Sequence, residues 1–189
     1  EHYFNEVEEK LLEETNYLLE LENSKFISDA AKKIPQLIFP KYYSKMTTSR
    51  ILTMDWISGV HLSEFVLKEH SQGVRDKLGQ TLWDFYMFQI HGLKKVQADP
   101  HPGNFLVNNN NELIAIDFGC VKEFPRDFLD TCVYLLAAHI RGDIGNIRAC
   151  YNEMGILDER SSGPQDELFA FLCEFGCFVL KPYMSDSFD

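Results

Sequence analysis

The sequence predicts an α+β domain in which helices outnumber strands. Two apolar runs, 105–107 and 113–116, flank a polar turn, which is the pattern of a β-hairpin with a buried second strand. Long helical patterns lie on either side of this hairpin, over 74–92 and 126–141. With 189 residues, 45% of them hydrophobic, the chain is long enough to bury one substantial core.

The other elements follow in order from periodicity and turn residues. Apolar residues at helical spacing among many acids predict a helix over 6–29. A short strand is expected at 41–44, and residues 50–57 predict a buried strand that ends at Ser58-Gly59. Five helices are expected after it, over 63–68, 74–92, 126–141, 143–154 and 166–180. Ser63 would cap the first and Asp143 the fourth. The helix over 126–141 would face inward with Phe128, Cys132, Leu135, Leu136 and Ile140.

Composition and charge disfavour several classes of function. The formal net charge of −11 disfavours nucleic acid and anionic membrane surfaces as partners, because both need clustered Lys and Arg. Five cysteines, an odd number scattered through apolar segments, are typical of reduced thiols, so we expect an intracellular, cytoplasmic protein. No stretch approaches the roughly 20 apolar residues of a membrane span, so any membrane association, including a peripheral one, would come from segments outside this chain. The chain begins with Glu1 inside a charged run, and we expect it to be an excerpt of a longer protein.

Three polar side chains around the predicted hairpin suit magnesium and phosphate chemistry. Asp99 opens the sequence Asp-Pro-His-Pro-Gly-Asn, which ends at Asn104, and Asp117 opens an Asp-Phe-Gly triplet directly after the second strand. Magnesium prefers oxygen ligands, and one or two carboxylates together with the substrate's phosphates typically complete its shell. The hairpin would bring Asn104 and Asp117 together at its open end. Gly119 permits a positive φ or a close approach of the backbone to a phosphate.

The spacing of these residues is that of a kinase catalytic centre. In kinases an Asp accepts the hydroxyl proton, an Asn five residues later binds metal, and a later Asp-Phe-Gly supplies the second metal ligand. On that pattern Asp117 is the principal metal ligand, Asn104 is the second, and Asp99 is the base or water-orienting residue. The prolines on either side of His101 should stiffen the loop. The alternative is that Asp99 opens an ordinary turn, Asn104 caps a strand and Asp117 ends one.

A kinase-like fold also gives a place to the strand over 50–57. A strand that runs into a Gly-containing turn corresponds to the hinge between the two lobes, where backbone groups of Asp55, Trp56 and Ile57 would meet the adenine of a nucleotide. This assignment rests on order along the chain, and Trp56 fits a core position equally well.

Together these motifs resemble the signature of the UbiB/ADCK family of atypical kinase-like proteins, also called AarF-domain kinases. Asp99-Pro-His-Pro-Gly-Asn104 and Asp117-Phe-Gly119 carry the resemblance, which extends over essentially the whole chain. It implies a partial protein-kinase-like fold, binding of ATP or ADP with Mg²⁺, and ATPase or phosphotransferase activity that supports ubiquinone or other isoprenoid-lipid biosynthesis. Ordinary protein kinases have His-Arg-Asp where this chain has Gln97-Ala98-Asp99, and family members often have His at the position of Gln97.

The resemblance also assigns two acidic residues in the first helix. The stretch from Glu14 to Glu20 is similar to the family's Glu-x-Asp-Tyr-x-x-Glu, which makes Glu20 the glutamate that pairs with a nucleotide-binding Lys. Glu14 becomes the partner of a basic motif upstream. The family's Asp is Asn16 here. Because neither Lys partner lies in this chain, we expect the excerpt alone to be inactive.

The resemblance divides the chain into the end of an N-lobe, over 1–57, and a C-lobe, over 58–189. Its partners would be a nucleotide and an isoprenoid lipid or proteins of quinone biosynthesis. Two other functions stay open: a small-molecule phosphotransferase similar to aminoglycoside or choline kinases, and a non-catalytic pseudokinase that acts as a scaffold. The departures from the family pattern at Asn16 and Gln97 slightly favour the pseudokinase. The presence of Asp99, Asn104 and Asp117 favours an enzyme.

Overall fold

A computed structural model describes residues 15–158 and 164–185. The chain divides after Glu123 into two compact units, and each unit has its own hydrophobic cluster. Helices account for most of the regular structure and the strands form two small sheets, which confirms the predicted α+β class. The predicted boundary between lobes at residue 57 stays a prediction.

The first unit alternates short strands with helices. A π-helical turn, Phe88–Leu93, continues the longest helix of this unit, and a 3₁₀ turn, Pro102–Asn104, precedes the hairpin. In chain order the elements are α1 (Tyr17–Ala31), β1 (Leu37–Ile38), β2 (Val60–His61), α2 (Leu62–Phe65), α3 (Gln72–Met87), β3 (Lys95–Gln97), β4 (Phe105–Val107), β5 (Leu113–Ala115) and β6 (Val121–Glu123).

The predicted hairpin is present and forms the centre of the larger sheet. Strands β4 and β5 pair antiparallel, with Phe105 opposite Ala115 and Val107 opposite Leu113. Strand β1 adds to β5 in parallel and β2 adds to β4 antiparallel, which gives the order β1-β5-β4-β2. All three residues of β5 are fully buried, as its continuous apolar sequence predicts. A second sheet pairs β3 with β6.

The core of the first unit is aromatic and lies between the hairpin and α3. Phe85, Phe105 and Phe118 are at most 2% exposed, and Phe85 meets Phe118 edge-on with ring centroids 6.4 Å apart. The expectation that the helix over 74–92 belongs in a core is therefore confirmed for Leu78 and Phe85. Its α-helical part ends at Met87, and the wider π turn follows.

The first helix begins later than the sequence pattern predicts. Helix α1 starts at Tyr17, where the side chain of Asn16 accepts a hydrogen bond from the Leu18 N–H at 3.2 Å. Asn is among the strongest N-cap residues, because its side-chain oxygen satisfies a backbone donor that the helix leaves open. The predicted residues 6–14 lie outside the described residues.

The predicted buried strand over 50–57 is wrong. Only isolated bridges occur there, Tyr42 with Met54 and Thr48 with Ile51, and Ile51 and Trp56 are 58% and 93% exposed. Threonine hydroxyls take over the backbone partners that a ladder would need: Thr47 Oγ1 accepts from the Thr53 N–H at 3.1 Å, and Thr53 Oγ1 donates to the Met46 carbonyl at 2.7 Å. The strand expected at 41–44 is likewise a single bridge followed by a 3₁₀ turn.

Besides a 3₁₀ turn, Lys181–Tyr183, the described part of the second unit has three α-helices, two of them joined by a tight turn. They are α4 (Arg126–Arg141), α5 (Ile144–Glu153) and α6 (Gln165–Val179), close to the predicted spans. Asp143 caps α5 as expected, with its Oδ1 accepting from the Asn146 N–H at 3.1 Å. Two other details are wrong: Phe128 and Ile140 are exposed, and α2 starts after His61 with no side-chain cap, so Ser63 does not cap it.

One close approach fixes the packing of α4 against α6. A Cβ added at Gly176 would lie against the imidazole of His139, closer than real Cβ atoms come to any neighbour. The His139 ring also lies 3.3 Å from the hydroxyl of Tyr151, and that hydroxyl donates to the Leu172 carbonyl at 3.1 Å. The ring therefore has little room to move away.

We expect Gly176→Ala to destabilise the folded chain by about 1–3 kcal/mol, because the added methyl overpacks the contact with His139. Chemical denaturation followed by circular dichroism measures the change. Gly79→Ala is the matched control, since a Cβ at this helical glycine meets nothing within 4 Å and replaces Gly with the better helix former. Equal stability of the two alanine variants would contradict the packing argument.

Candidate active site

The pairing of β3 with β6 brings two loops of the first unit to one place. Gln97 lies opposite Val121 in this ladder, and the Ala98 N–H extends it by donating to the Cys120 carbonyl at 2.9 Å. Asp99 therefore leaves the ladder on one strand at the point where Gly119 enters it on the other. The loop over 99–104 and the loop over 117–119 start from a shared, hydrogen-bonded frame.

The first of these loops is held by its own side chains. The Nδ2 of Asn104 donates to the Asp99 carbonyl at 3.0 Å and approaches its Oδ2 at 3.4 Å, which leaves the amide oxygen as the atom available to a cation. His101 has extended backbone angles, as its neighbouring prolines predict, and its Nδ1 accepts from the Gly103 N–H at 3.0 Å. The Nδ1 of His61 donates to the Gly103 carbonyl at 3.1 Å.

The second loop presents the carboxylate of Asp117 next to a glycine. Asp117 Oδ1 accepts from the Gly119 N–H at 2.9 Å. The φ angle of Gly119 is not positive, so the first of the two roles expected for this glycine is not realised. The second is compatible with the structure, because a Cβ at Gly119 would lie 3.4 Å from Asp117 Oδ1 and 3.8 Å from Glu20 Oε2.

Glu20 lies in the first turn of α1 and faces Asp117. Burial, and then the negative charge of Asp117, raise the pKa of Glu20 from 4.5 to about 7, while a hydrogen bond from the Phe118 backbone opposes this shift. A carboxyl with such a pKa is half protonated near neutral pH. Raised pKa values of this kind are typical of functional sites.

Two neighbouring clefts contain nearly all the predicted site residues. A polar cleft of about 330 Å³ is lined by Tyr17, Glu20, Gln97, Asp99, Asn104, Asp117, Gly119 and Cys120. A more apolar cleft of about 360 Å³ is lined by residues that include Asp55, Trp56, Ile57, Leu106 and Ile116. Ile116 of the apolar cleft and Asp117 of the polar cleft are consecutive residues just after β5. Glu14 lies outside the described residues.

The polar cleft fits a divalent cation bound together with a phosphate. Within the described part of the chain, Glu20, Asp99 and Asp117 form no ion pair with Lys or Arg, so their negative charges are unbalanced. Among residues 15–158 and 164–185 no three His, Cys, Asp or Glu side chains are grouped to hold a metal ion by themselves. Asp117 and Asn104 offer two oxygen ligands in this cleft, and magnesium needs only one or two protein ligands when waters or phosphates complete its shell.

Three residues of the site were not found by sequence reasoning. Gln97 is 2% exposed and Gln89 is fully buried, and with Tyr86 they form a hydrogen-bonded group behind Asp117. One signal was available, since Gln89 is a polar residue inside the apolar run over 85–90. Such a residue needs internal partners.

Comparison with known proteins decides the family. A family model described as the ABC1 atypical kinase-like domain matches residues 1–151. The chain belongs to this ABC1 family. The resemblance to AarF-domain kinases is thereby confirmed.

Two relatives of this ABC1 chain are longer proteins named as kinases. It is 33% identical over 132 residues to an aarF domain-containing protein kinase of Arabidopsis thaliana, described as chloroplastic, with 67% of this chain and 18% of the relative covered. It is 27% identical over 161 residues to the probable serine/threonine-protein kinase abkA of Dictyostelium discoideum, with 78% of this chain and 28% of the relative covered. The chain therefore spans less than a third of the length of these relatives.

A solved structure shows the same fold. The Rv3197–erythromycin complex from Mycobacterium tuberculosis has a TM-score of 0.74 to this chain at 20% sequence identity, and covers 97% of this chain and 45% of the other. The α+β kinase-like fold predicted from the sequence is confirmed. No helix in the described ranges of this ABC1 chain has the length and apolar character to cross a bilayer.

The pKa of Glu20 predicts how the stability of this ABC1 chain depends on pH in the absence of metal. Because the folded chain holds this proton up to about pH 7 and the unfolded chain loses it near pH 4.5, the free energy of unfolding falls as pH rises between these values. Glu20→Gln removes this effect. The variant should match the wild type at pH 4 and exceed it by about 1–2 kcal/mol at pH 8, after allowance for solvent screening of a half-buried group.

Denaturant titrations at pH 4, 6 and 8 in EDTA test this expectation. Glu22→Gln is the matched control, since Glu22 is exposed on the same helix. If the gap between Glu20→Gln and wild type is the same at all three pH values, Glu20 is not the titrating group.

Proposed function

We propose that this chain is the magnesium- and nucleotide-binding part of an atypical kinase-like enzyme, an ATPase or phosphotransferase. The observation that carries the proposal is that Asp99, Asn104 and Asp117 line one polar cleft, while Ile116, the residue before Asp117, lines an apolar cleft. A nucleotide has the same two characters, a flat apolar base and a charged phosphate chain. Two relatives are named as kinases, which supports a phosphotransferase as the class of enzyme.

In this proposal the apolar cleft takes the adenine. Asp55, Trp56 and Ile57 line it, and Asp55 is fixed by two hydrogen bonds: its N–H donates to the Lys41 carbonyl at 2.9 Å, and its Oδ1 accepts from the Tyr43 hydroxyl at 2.7 Å. The turn at Gly59 lies so close to β4 that a Cβ there would be 2.9 Å from the Cβ of Leu106. These contacts support the proposed hinge position, although no strand leads to it.

The acidic cleft takes Mg²⁺ and the phosphates. Asp117 would hold the metal as principal ligand and Asn104 would add its amide oxygen, with Gly119 giving the phosphates room to approach. Asp99 would orient or deprotonate the attacking group. Bound Mg²⁺ neutralises developing charge on the phosphates. Glu20 would face a phosphate-pairing Lys, and Glu14 a basic motif, in parts of the protein outside this chain.

The biological role of the whole protein follows from the family resemblance alone. We infer support of ubiquinone or other isoprenoid-lipid biosynthesis, with an isoprenoid lipid or quinone-biosynthesis proteins as partners and no role for nucleic acid. Since the chain covers 18% and 28% of the two relatives compared, the residues that would recognise such partners need not lie in it.

A small-molecule phosphotransferase is the second candidate, and the acidity of the cleft favours it. Three carboxylates, those of Glu20, Asp99 and Asp117, face one polar cavity, which suits an amine-bearing alcohol as acceptor. The structural neighbour was solved with erythromycin, which itself carries an amine, although at 20% identity that likeness concerns the fold. Transfer of phosphate from ATP to such an alcohol, measured against ATP hydrolysis alone, separates the two candidates.

We expect Asp117→Asn in the full-length protein to abolish Mg²⁺-dependent binding of ADP, because the substitution removes the charge that holds the metal. The Asn Oδ1 can still accept from the Gly119 N–H, so the loop should keep its shape. Isothermal titration with and without Mg²⁺ measures the effect. Asp76→Asn, the same change at an exposed site on α3, is the control, and unchanged ADP affinity in Asp117→Asn would refute the metal assignment.

Asp99→Asn should instead leave ADP binding intact and lower the turnover of ATP on the order of a hundredfold or more, the usual contribution of a positioned base. Steady-state phosphate release together with the binding titration tests this. Loss of binding in parallel with turnover would make Asp99 a metal ligand or a structural residue. A wild-type protein that binds Mg²⁺ and ADP but turns over no ATP would identify a pseudokinase.

A further inference from the structure

Gln97 links the two loops of the polar cleft through its side chain. Its Nε2 donates a hydrogen bond to the backbone carbonyl of Asp117. This carbonyl lies beyond the last ladder pair of the hairpin, Phe105 with Ala115. Gln97 itself lies two residues before Asp99 on β3, so one buried amide joins the strand that leads to the proposed base with the residue that carries the proposed metal ligand.

The orientation of this amide is fixed from α3 and the π turn that follows it. The Tyr86 hydroxyl donates to Gln97 Oε1 at 3.2 Å. The backbone N–H of Gln97 donates to Gln89 Oε1 at 2.9 Å. Gln89 Nε2 in turn approaches the Phe85 carbonyl at 3.4 Å. Burial, and then the charge of Asp99, raise the pKa of Tyr86 to about 12, so its hydroxyl stays a donor under all working conditions.

One contact decides the arrangement of the Gln97 amide. Because the Asp117 carbonyl can only accept a hydrogen bond, Nε2 must be the end that faces it, and Oε1 is left to accept from the Tyr86 hydroxyl. With the amide reversed, two oxygens would face each other at Asp117. Both Gln97 and Gln89 are at most 2% exposed, so water is poorly placed to replace either bond.

We propose that Gln97 is a positioning residue of the nucleotide site, held by Tyr86 and Gln89, which sets the place of Asp117 relative to Asp99. The inference rests on the proposed function, since it concerns the alignment of that same metal ligand. It goes beyond it by assigning the alignment to a buried amide group whose hydrogen bonds run to the Asp117 carbonyl and the Tyr86 hydroxyl. The hydrogen bond from Gln97 to the Asp117 carbonyl does not depend on pH near neutrality, because an amide does not titrate.

The test compares the full-length wild type with Gln97→Met, which nearly keeps the side-chain length and removes both hydrogen bonds. At saturating ADP we expect the apparent affinity for Mg²⁺ to fall about tenfold, roughly the effect of one lost buried hydrogen bond. The affinity for ADP in EDTA should stay at the wild-type value. Tyr86→Phe should shift Mg²⁺ affinity in the same direction by a smaller factor, because Oε1 loses its donor and the amide is held by one bond only.

Thr81→Val is the matched control. It removes another buried side-chain hydrogen bond from α3, that of the Thr81 hydroxyl to the Lys77 carbonyl at 2.8 Å, without contact to the cleft. It should leave both affinities unchanged. If Gln97→Met and Thr81→Val lose stability to the same extent and neither changes Mg²⁺ affinity, Gln97 only packs and the inference is overturned.

Hydrogen exchange separates this inference from the proposed function. Without nucleotide, the backbone amides of Phe118 and Gly119 should exchange faster in Gln97→Met and Tyr86→Phe than in the wild type. In Thr81→Val their exchange rates should equal those of the wild type. Absence of Mg²⁺-dependent ADP binding in the wild type would refute the proposed function, and the exchange rates would still show whether Gln97 holds the segment. Unchanged exchange in Gln97→Met overturns the inference whatever the wild type binds.

Discussion

The antiparallel pairing of β4 with β5 is the constraint on which the rest of the first unit depends. It buries Phe105, Val107 and the whole of β5, and the Ile116 N–H extends it by donating to the Asn104 carbonyl at 3.1 Å. Asn104 and Asp117 thus lie just past the same end of one ladder, and the register sets their separation. A slip by one residue would turn every buried side chain of β5 to the opposite face, so the core that stabilises the hairpin also protects the geometry of the cleft.

The same arrangement forces like charges together. Asp117 and Glu20 face each other from a loop and a helix turn, and Asp99 shares their cleft, so the folded chain carries electrostatic strain that a cation would relieve. Proteins rarely place carboxylates in this way for stability alone. The strain is local, because the aromatic packing of Phe39, Phe85 and Phe118 behind the cleft holds the backbone in place.

How far the sequence predicted this structure depends on the range of the interactions involved. The hairpin, the three helices of the second unit and the convergence of Asp99, Asn104 and Asp117 followed from local periodicity and motif spacing. The region around 50–57 did not, because threonine hydroxyls compete there with backbone pairing and strand propensity gives no measure of exposure. The group formed by Tyr86, Gln89 and Gln97 was also missed, since it depends on contacts between a helix, a π turn and a strand that no short pattern records.

The exposure of Trp56 has an optical consequence. The chain has two tryptophans: Trp56 is 93% exposed at the rim of the apolar cleft, whereas Trp83 is 37% exposed on α3. An indole surrounded by water fluoresces at longer wavelength than one against apolar groups, so the emission maxima of the two tryptophans should differ. A flat base entering the cleft would cover Trp56 and change its emission while leaving that of Trp83 almost untouched. The apolar cleft therefore carries its own fluorophore, and its occupancy can be followed without attaching a dye.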